Sequence, residues 1–182
     1  MLRMPTLEPP TVHVRQSFRA AMAGFRAEGR GAPDDETMIG SELRDFGPAW
    51  DTEDGFAEFV RWLLDQSLEE TPRPEGYVPC TTLWYIEGDK YLGRLAIRHR
   101  LTPGLLEHGG HIGYDVPPSA RRKGYATAML REGLLLARKL GIERALLTCD
   151  TDNVASRKVI EHNHGVLEDE RHGSLRFWVP TA

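Results

Sequence analysis

A mixed α/β fold, one central twisted sheet carrying helices on both faces, is predicted by three features of the sequence. His111 to Gly141 reads as strand, glycine turn and amphipathic helix; Ile142 to Gly165 repeats strand then helix; Thr81 to Arg100 reads as two strands joined at Gly88-Asp89. Strands alternating with helices in this way form a sheet covered on both sides. The 182 residues, 40% hydrophobic, fit a single domain spanning 1–182, with a helical part over 1–79 and a sheet-forming core over 80–182. No internal repeat or low-complexity tract interrupts it.

Each element has its own local signal. Pro9-Pro10-Thr11 precedes Val14, Phe18, Ala21, Met22 and Phe25, whose spacing predicts a helix to about Glu28, and Gly29 to Glu36 reads as a loop. Asp51-Thr52-Glu53-Asp54 can cap a second helix that buries Phe56, Phe59, Val60, Leu63, Leu64 and Leu68. Pro72, Pro74 and Pro79 stiffen the connection into the strand pair 81–87 and 91–100. His111 to Val116 is the next strand. The long helix after it is marked by Ala126, Met129, Leu130, Gly133, Leu134, Ala137 and Leu140 at three- and four-residue intervals. Arg138 and Lys139 suit its negative C-terminal end, and Gly141 stops it. Ile142 to Cys149 reads as a strand, Asp152 or Asn153 as the cap of a helix running toward His162 and Gly165, and 166–168 with 174–179 as a closing strand pair.

The chemistry concentrates at Arg121-Arg122-Lys123-Gly124-Tyr125-Ala126-Thr127. A strand turning through glycine into a helix leaves several N–H groups pointing into one small volume, where the helix dipole adds positive charge. Three adjacent cations suit a ligand with more than one phosphate.

Arg121-x-x-Gly124-x-Ala126, followed after the next strand by Asn153-x-x-Ser156, resembles the GNAT superfamily of acyl-CoA-dependent N-acyltransferases. Ile97-Arg98-His99, Leu105 and Gly109-Gly110-His111-Ile112-Gly113-Tyr114 also resemble a group of predicted acetyltransferases within it. The resemblance implies acetyl-CoA as co-substrate, no metal, and cofactor contacts from Tyr114, Val116, Arg121 to Thr127, Asn153 and Ser156. It further implies that the helical part, around Trp50 to Asp54, helps form the acceptor site. The implied reaction is direct attack of a primary amine on the thioester, the amine belonging to a small molecule or, as a second reading, to a protein terminus or side chain. A noncatalytic acyl-CoA sensor is the alternative from another class.

An alkylamine is mostly protonated at neutrality, so freeing its lone pair costs about 4 to 5 kcal/mol, whereas a thiolate is a tolerable leaving group. A base therefore matters more than an acid. His111, on the strand entering the phosphate loop, is the expected base, with Asp115 two positions along as the alternate. Many family members carry a tyrosine acid where this chain has Ile160; Ser156 is the candidate to hydrogen-bond the sulfur instead. The backbone N–H of Val116 matches the oxyanion donor. Pro117 and Pro118 cannot donate hydrogen bonds and would keep the strand end splayed, leaving room for pantetheine.

The net charge of -4 argues against general nucleic-acid binding, and no stretch approaches a membrane span. Cys80 and Cys149 make no disulfide framework, and residues 1–5 lack the apolar run of a signal peptide, so a cytoplasmic setting is expected. Asp150, Asp152 and Glu161 fail the calcium-loop template at Val154 and Ala155, and the histidines at 162, 164 and 172 lack a ligand set. No interface signal fixes the assembly; a homodimer through the last strands or the N-terminal helices is compatible with the sequence.

Overall fold

The computed structural model describes residues 3–182. Strands β1 (Thr6–Glu8), β2 (Cys80–Glu87), β3 (Lys90–Arg98) and β4 (Ile112–Asp115) form a four-stranded sheet in that order. Strands β5 (Arg144–Asp150), β6 (Val166–Arg171) and β7 (Ser174–Pro180) form a three-stranded sheet in the order β5-β7-β6. Every pairing is antiparallel. The single central sheet expected from the sequence is thus divided in two. Its halves meet where β4 and β5 lie side by side, and Pro117-Pro118, one residue beyond the end of β4, cannot extend the ladder.

The helices are α1 (Arg15–Ala27), α2 (Met38–Phe46), α3 (Glu53–Asp65), α4 (Pro103–Glu107), α5 (Tyr125–Lys139) and α6 (Val154–His162). Cross-strand alternation sends the two faces of the first sheet into different cores. Leu83, Tyr85, Leu95 and Ile97 pack with Met129, Leu130, Leu134 and Ala137 of α5. Gly133 lets α5 approach closely, since a Cβ there would sit 2.7 Å from Leu95 Cδ1. On the opposite face Trp84, Ile86 and Tyr91 pack with α1 and α3 around Phe18, whose ring lies 4.9 Å from both Trp84 and Trp50. Each such fully buried side chain contributes about 1.5 to 3 kcal/mol. α1 docks through the stripe that the sequence spacing marks, and α3 through Phe56, Phe59, Val60 and Leu63; Leu64, on the far side of the helix, and Leu68, past its end at Asp65, are exposed rather than buried as expected.

Three elements had no counterpart in the sequence reading. The three residues of β1 extend the sheet edge beyond β2. The short α4 starts at Thr102, whose hydroxyl accepts from the Leu105 N–H. α2 follows the 29–36 loop, capped by Thr37 accepting from Gly40 N–H, and buries Ile39, Gly40, Glu42 and Leu43. None of the described helices is long and apolar enough to cross a membrane.

Candidate functional site

The fork between the two sheets is pinned at one end by His111. Its N–H donates to the Leu146 carbonyl at 2.7 Å, and its Nδ1 accepts from the Leu146 N–H at 2.9 Å. Just before it, the Gly109 N–H donates to Thr148 Oγ1 at 3.0 Å. Beyond His111, β4 is paired to β3 on one side, Arg94 facing Asp115 and Ala96 facing Gly113, and no pairing to β5 continues. The result is a strand with one free edge.

That edge leads to the start of α5. Gly124 is its N-cap, at φ +76 in the left-handed region that glycine tolerates, and no side chain caps the helix. No acidic residue stands in the first turn. The amides of Tyr125, Ala126 and Thr127 therefore begin the helix facing outward, and an added Cβ at Gly124 would meet nothing within 4 Å. Arg122, at φ +62, and Lys123 are exposed beside this turn. The arrangement is an open, positively polarised cradle that fits an oxyanion.

Arg121 departs from this group. Its Nη1 and Nη2 fork onto Glu28 at 2.5 and 2.9 Å, and its Nε donates to the Val116 carbonyl at 2.9 Å. It ties the end of α1 to the loop after β4. The hydrogen bond from Arg121, with the Arg121 and Arg30 charges, holds the Glu28 carboxyl below the usual range against the opposing effect of burial.

On the other wall, Asn153 caps α6 by accepting from the Ser156 N–H at 3.1 Å. Ser156 Oγ then lies 2.8 Å from the Tyr114 hydroxyl, which reaches across the fork from β4. Burial pushes the Tyr114 phenol upward, a hydrogen bond with Ser156 opposing. Asn163 Nδ2 donates to the Thr127 carbonyl at 3.2 Å and so locks α6 against the first turn of α5. Ile160, the position at which the family resemblance implies a tyrosine, is wholly buried.

His111 sits differently from the expected base. Burial, with the Arg98 charge, lowers its pKa to about 4, and Nδ1 is committed to a backbone donor. A ring so placed is neutral and weakly basic at pH 7; the geometry favours a sheet-joining role. Asp115 is raised by burial, with Arg30 and Arg94 opposing, and its Oδ1 accepts from Arg30 Nη1 at 3.3 Å. It faces the α1 and α2 side of the sheet, as does its cross-strand neighbour Arg94, which pairs with buried Glu42 at 2.5 Å. A cavity of about 510 Å³ opens there between α2, α3 and the β2–β3 face.

The fold thus brings together Tyr114, Val116, Arg122 to Thr127, Asn153 and Ser156 around one fork, turns Arg121 toward Glu28 and places His111 at the hinge. The Tyr114 hydroxyl as partner of Ser156, and Glu42 as partner of Arg94, left no local signal. They lie 42 and 52 positions apart, respectively.

Residues 31–166 match the family model described as acetyltransferase (GNAT) domain. No curated protein sequence matches the chain. Among solved structures, the fold is similar to the microcin C7 self-immunity acetyltransferase MccE in complex with acetyl-CoA and AMP, with 12% identity, 97% of this chain and 92% of that chain covered, and a TM-score of 0.64. Mycobacterium smegmatis RimJ in complex with CoA-disulfide has 16% identity, coverage of 99% and 86%, and a TM-score of 0.66. The ribosomal-protein-S5-alanine acetyltransferase from Vibrio fischeri has 11% identity, coverage of 100% and 95%, and a TM-score of 0.66. At these identities the likeness is one of fold.

Proposed function

From the premise that the chain belongs to the GNAT acetyltransferase domain family, we propose that it transfers an acetyl group from acetyl-CoA to a primary amine of a small molecule. The observation that carries the reading is the uncapped start of α5 at an open Gly124, continuous with the free edge of β4. The amides of Tyr125 to Thr127, with Arg122 and Lys123, would hold the diphosphate; the free edge would receive pantetheine as an added strand. Asn153 would border the pantetheine arm. Similar folds bound to acetyl-CoA and to a CoA disulfide support this donor.

In the reaction the amine nitrogen attacks the thioester carbonyl carbon. A C–N bond forms, the C–S bond breaks, and its electron pair leaves on sulfur. The Val116 N–H is assigned to the carbonyl oxygen, where a preorganised donor stabilises the developing charge. Ser156, backed by the Tyr114 hydroxyl, is assigned to the leaving sulfur, which takes up a proton to give the thiol. The proton lost by the amine passes to Asp115, directly or through water, because burial moves that carboxyl toward greater basicity and it faces the α2 side.

The folds also include an enzyme whose name specifies a protein alanine, so a protein acceptor is the second reading. The bounded cavity beneath α2 and α3 favours a small molecule. The experiment is thiol release from acetyl-CoA with a panel of small amines and peptides. Release dependent on a small amine is expected; tight acetyl-CoA binding with no acceptor-dependent release would make the domain a sensor.

A further inference from the structure

The cavity under α2 and α3 is lined by a guanidinium, that of Arg98, which no carboxylate among the described residues pairs. Its lining carries three guanidinium groups, Arg73, Arg94 and Arg98, and one buried carboxylate, Glu42; Arg73 is turned onto the carbonyls of Gln66, Leu68 and Glu69. Arg94 is satisfied: it pairs with Glu42 at 2.5 Å and donates to Thr82 Oγ1 at 3.3 Å. Arg98 has no carboxylate partner among the described residues. Its Nη1 donates to the Gly109 and Gly110 carbonyls, both at 3.2 Å, while Nε and Nη2 make no hydrogen bond.

Neither donor is shut away from solvent, so both stand open at the cavity to an incoming counter-charge. Burial pulls the Arg98 pKa down, with the nearby Arg94 charge adding to the effect and Cys80 opposing it. The acidic residues bordering the same cavity, Glu36 and Asp45, are exposed and stand on the α2 side, and neither pairs with Arg98. The donor edge of a guanidinium is planar and forked, which matches a carboxylate.

The position of Arg98 links this charge to the transfer site. Its carbonyl partners, Gly109 and Gly110, lead directly into His111 and β4. Two residues back along β3, Ala96 faces Gly113 across the ladder. Gly113 shares the face that carries Arg94 and Asp115, and an added Cβ there would meet nothing within 4 Å. Arg98 stands opposite His111, so one pleat of β3 separates it from the Ala96–Gly113 pair on the same face.

We propose that this cavity is the acceptor pocket and that it selects an amine carrying a carboxylate, which Arg98 binds while the amino group reaches the β4 fork past Gly113. This rests on the acetyl-transfer reading above. Trp62 and Tyr77, both partly exposed at the border of the cavity, give an apolar substrate body a surface to lie on.

The test compares matched acceptors with the full chain and acetyl-CoA: phenylalanine with phenethylamine, 4-aminobutyrate with butylamine, and phosphoethanolamine with ethanolamine. At least one carboxylate-bearing member is expected to exceed its partner in kcat/KM by about tenfold to a hundredfold, the range for a charge-assisted pair. Arg98→Gln is expected to remove that advantage through KM, bringing the carboxylate-bearing acceptor down to the level of its uncharged partner measured in the same variant. Equal kcat/KM within both carboxylate pairs, or an unaltered preference in Arg98→Gln, overturns the proposal, and a preference confined to phosphoethanolamine overturns the carboxylate assignment. Should Arg98→Gln not fold, wild-type protein still decides: 3-phenylpropionate, which lacks an amine, is expected to bind by calorimetry, and no binding overturns the pocket. Failure of acetyl-CoA itself to bind would instead sink the acetyl-transfer reading, which the same calorimeter reports separately.

Discussion

The Tyr114 hydroxyl lies 2.8 Å from Ser156 Oγ and 3.3 Å from the Ser156 carbonyl oxygen, joining β4 to the first turn of α6. Because Tyr114 is kept protonated by burial, it can donate to Ser156, freeing the serine proton for the sulfur. Ser156→Ala is therefore expected to lower kcat about tenfold, a modest factor because the thiolate already leaves readily. Tyr114→Phe should lower it less and cost about 1 kcal/mol of stability. Single-turnover rates with acetyl-CoA affinity measured alongside check this; a full-rate Ser156→Ala enzyme would remove the serine from the mechanism.

At Gly124 the backbone and the ligand make separable demands. Gly124→Ala forces a Cβ into φ +76 but into empty space, so the expected cost is about 1 kcal/mol of stability with acetyl-CoA binding retained. Gly124→Glu adds the same strain and puts a negative charge at the amides of α5, so binding is expected to vanish. Isothermal calorimetry on both variants checks the pair, and equal affinity in Gly124→Glu and wild type would move the diphosphate elsewhere.

The sequence made α1, α3, α5 and α6 legible because each carries apolar spacing or a cap within one continuous stretch. Gly124 and the strand–turn–helix order likewise marked the open turn proposed to hold the diphosphate, and Asn153 marked the cap of α6. α2 escaped because one of its buried positions is Glu42, whose burial makes sense only beside Arg94, 52 positions away. The same holds for Arg121, a phosphate ligand by local motif but forked onto Glu28 through a contact spanning 93 positions. Long-range charge pairing leaves no periodicity to read.

His111 separates a sheet joint from a base. With the folded pKa near 4 and the unfolded value near 6.5, the unfolded chain binds the proton more tightly, so stability is lost as pH falls from about 6.5 toward 4. The loss amounts to about 3 kcal/mol at its limit. His111→Ala also leaves the Leu146 N–H without its acceptor, costing about 1 to 3 kcal/mol. Denaturant titrations across this pH window should show the wild-type slope and its reduction in the variant. A variant with unchanged stability and a kcat lowered a hundredfold or more would restore the histidine as base.

Asp35 governs how firmly the loop between α1 and α2 is held against the site. Its Oδ2 accepts from the Gly31 N–H at 2.9 Å, its Oδ1 accepts from the Thr37 N–H at 3.0 Å and the Thr37 hydroxyl at 2.5 Å, and Arg30 Nε stands 3.3 Å away. Burial raises its pKa, but these hydrogen bonds and the Arg30 charge outweigh it and bring the value down to about 2. The folded state therefore disfavours protonation relative to the unfolded chain at 3.8, so Asp35 adds about 2 kcal/mol above pH 4, lost as pH falls toward 2. Asp35→Asn is expected to lose that amount at pH 7 and to differ progressively less from wild type between pH 4 and 2. Because Arg30 also bridges to Asp115, the variant should raise KM for the amine more than it lowers acetyl-CoA affinity. Denaturation at stepped pH checks the first part and steady-state kinetics the second; an Asp35→Asn penalty that stays constant down to pH 2 would contradict the depressed carboxyl.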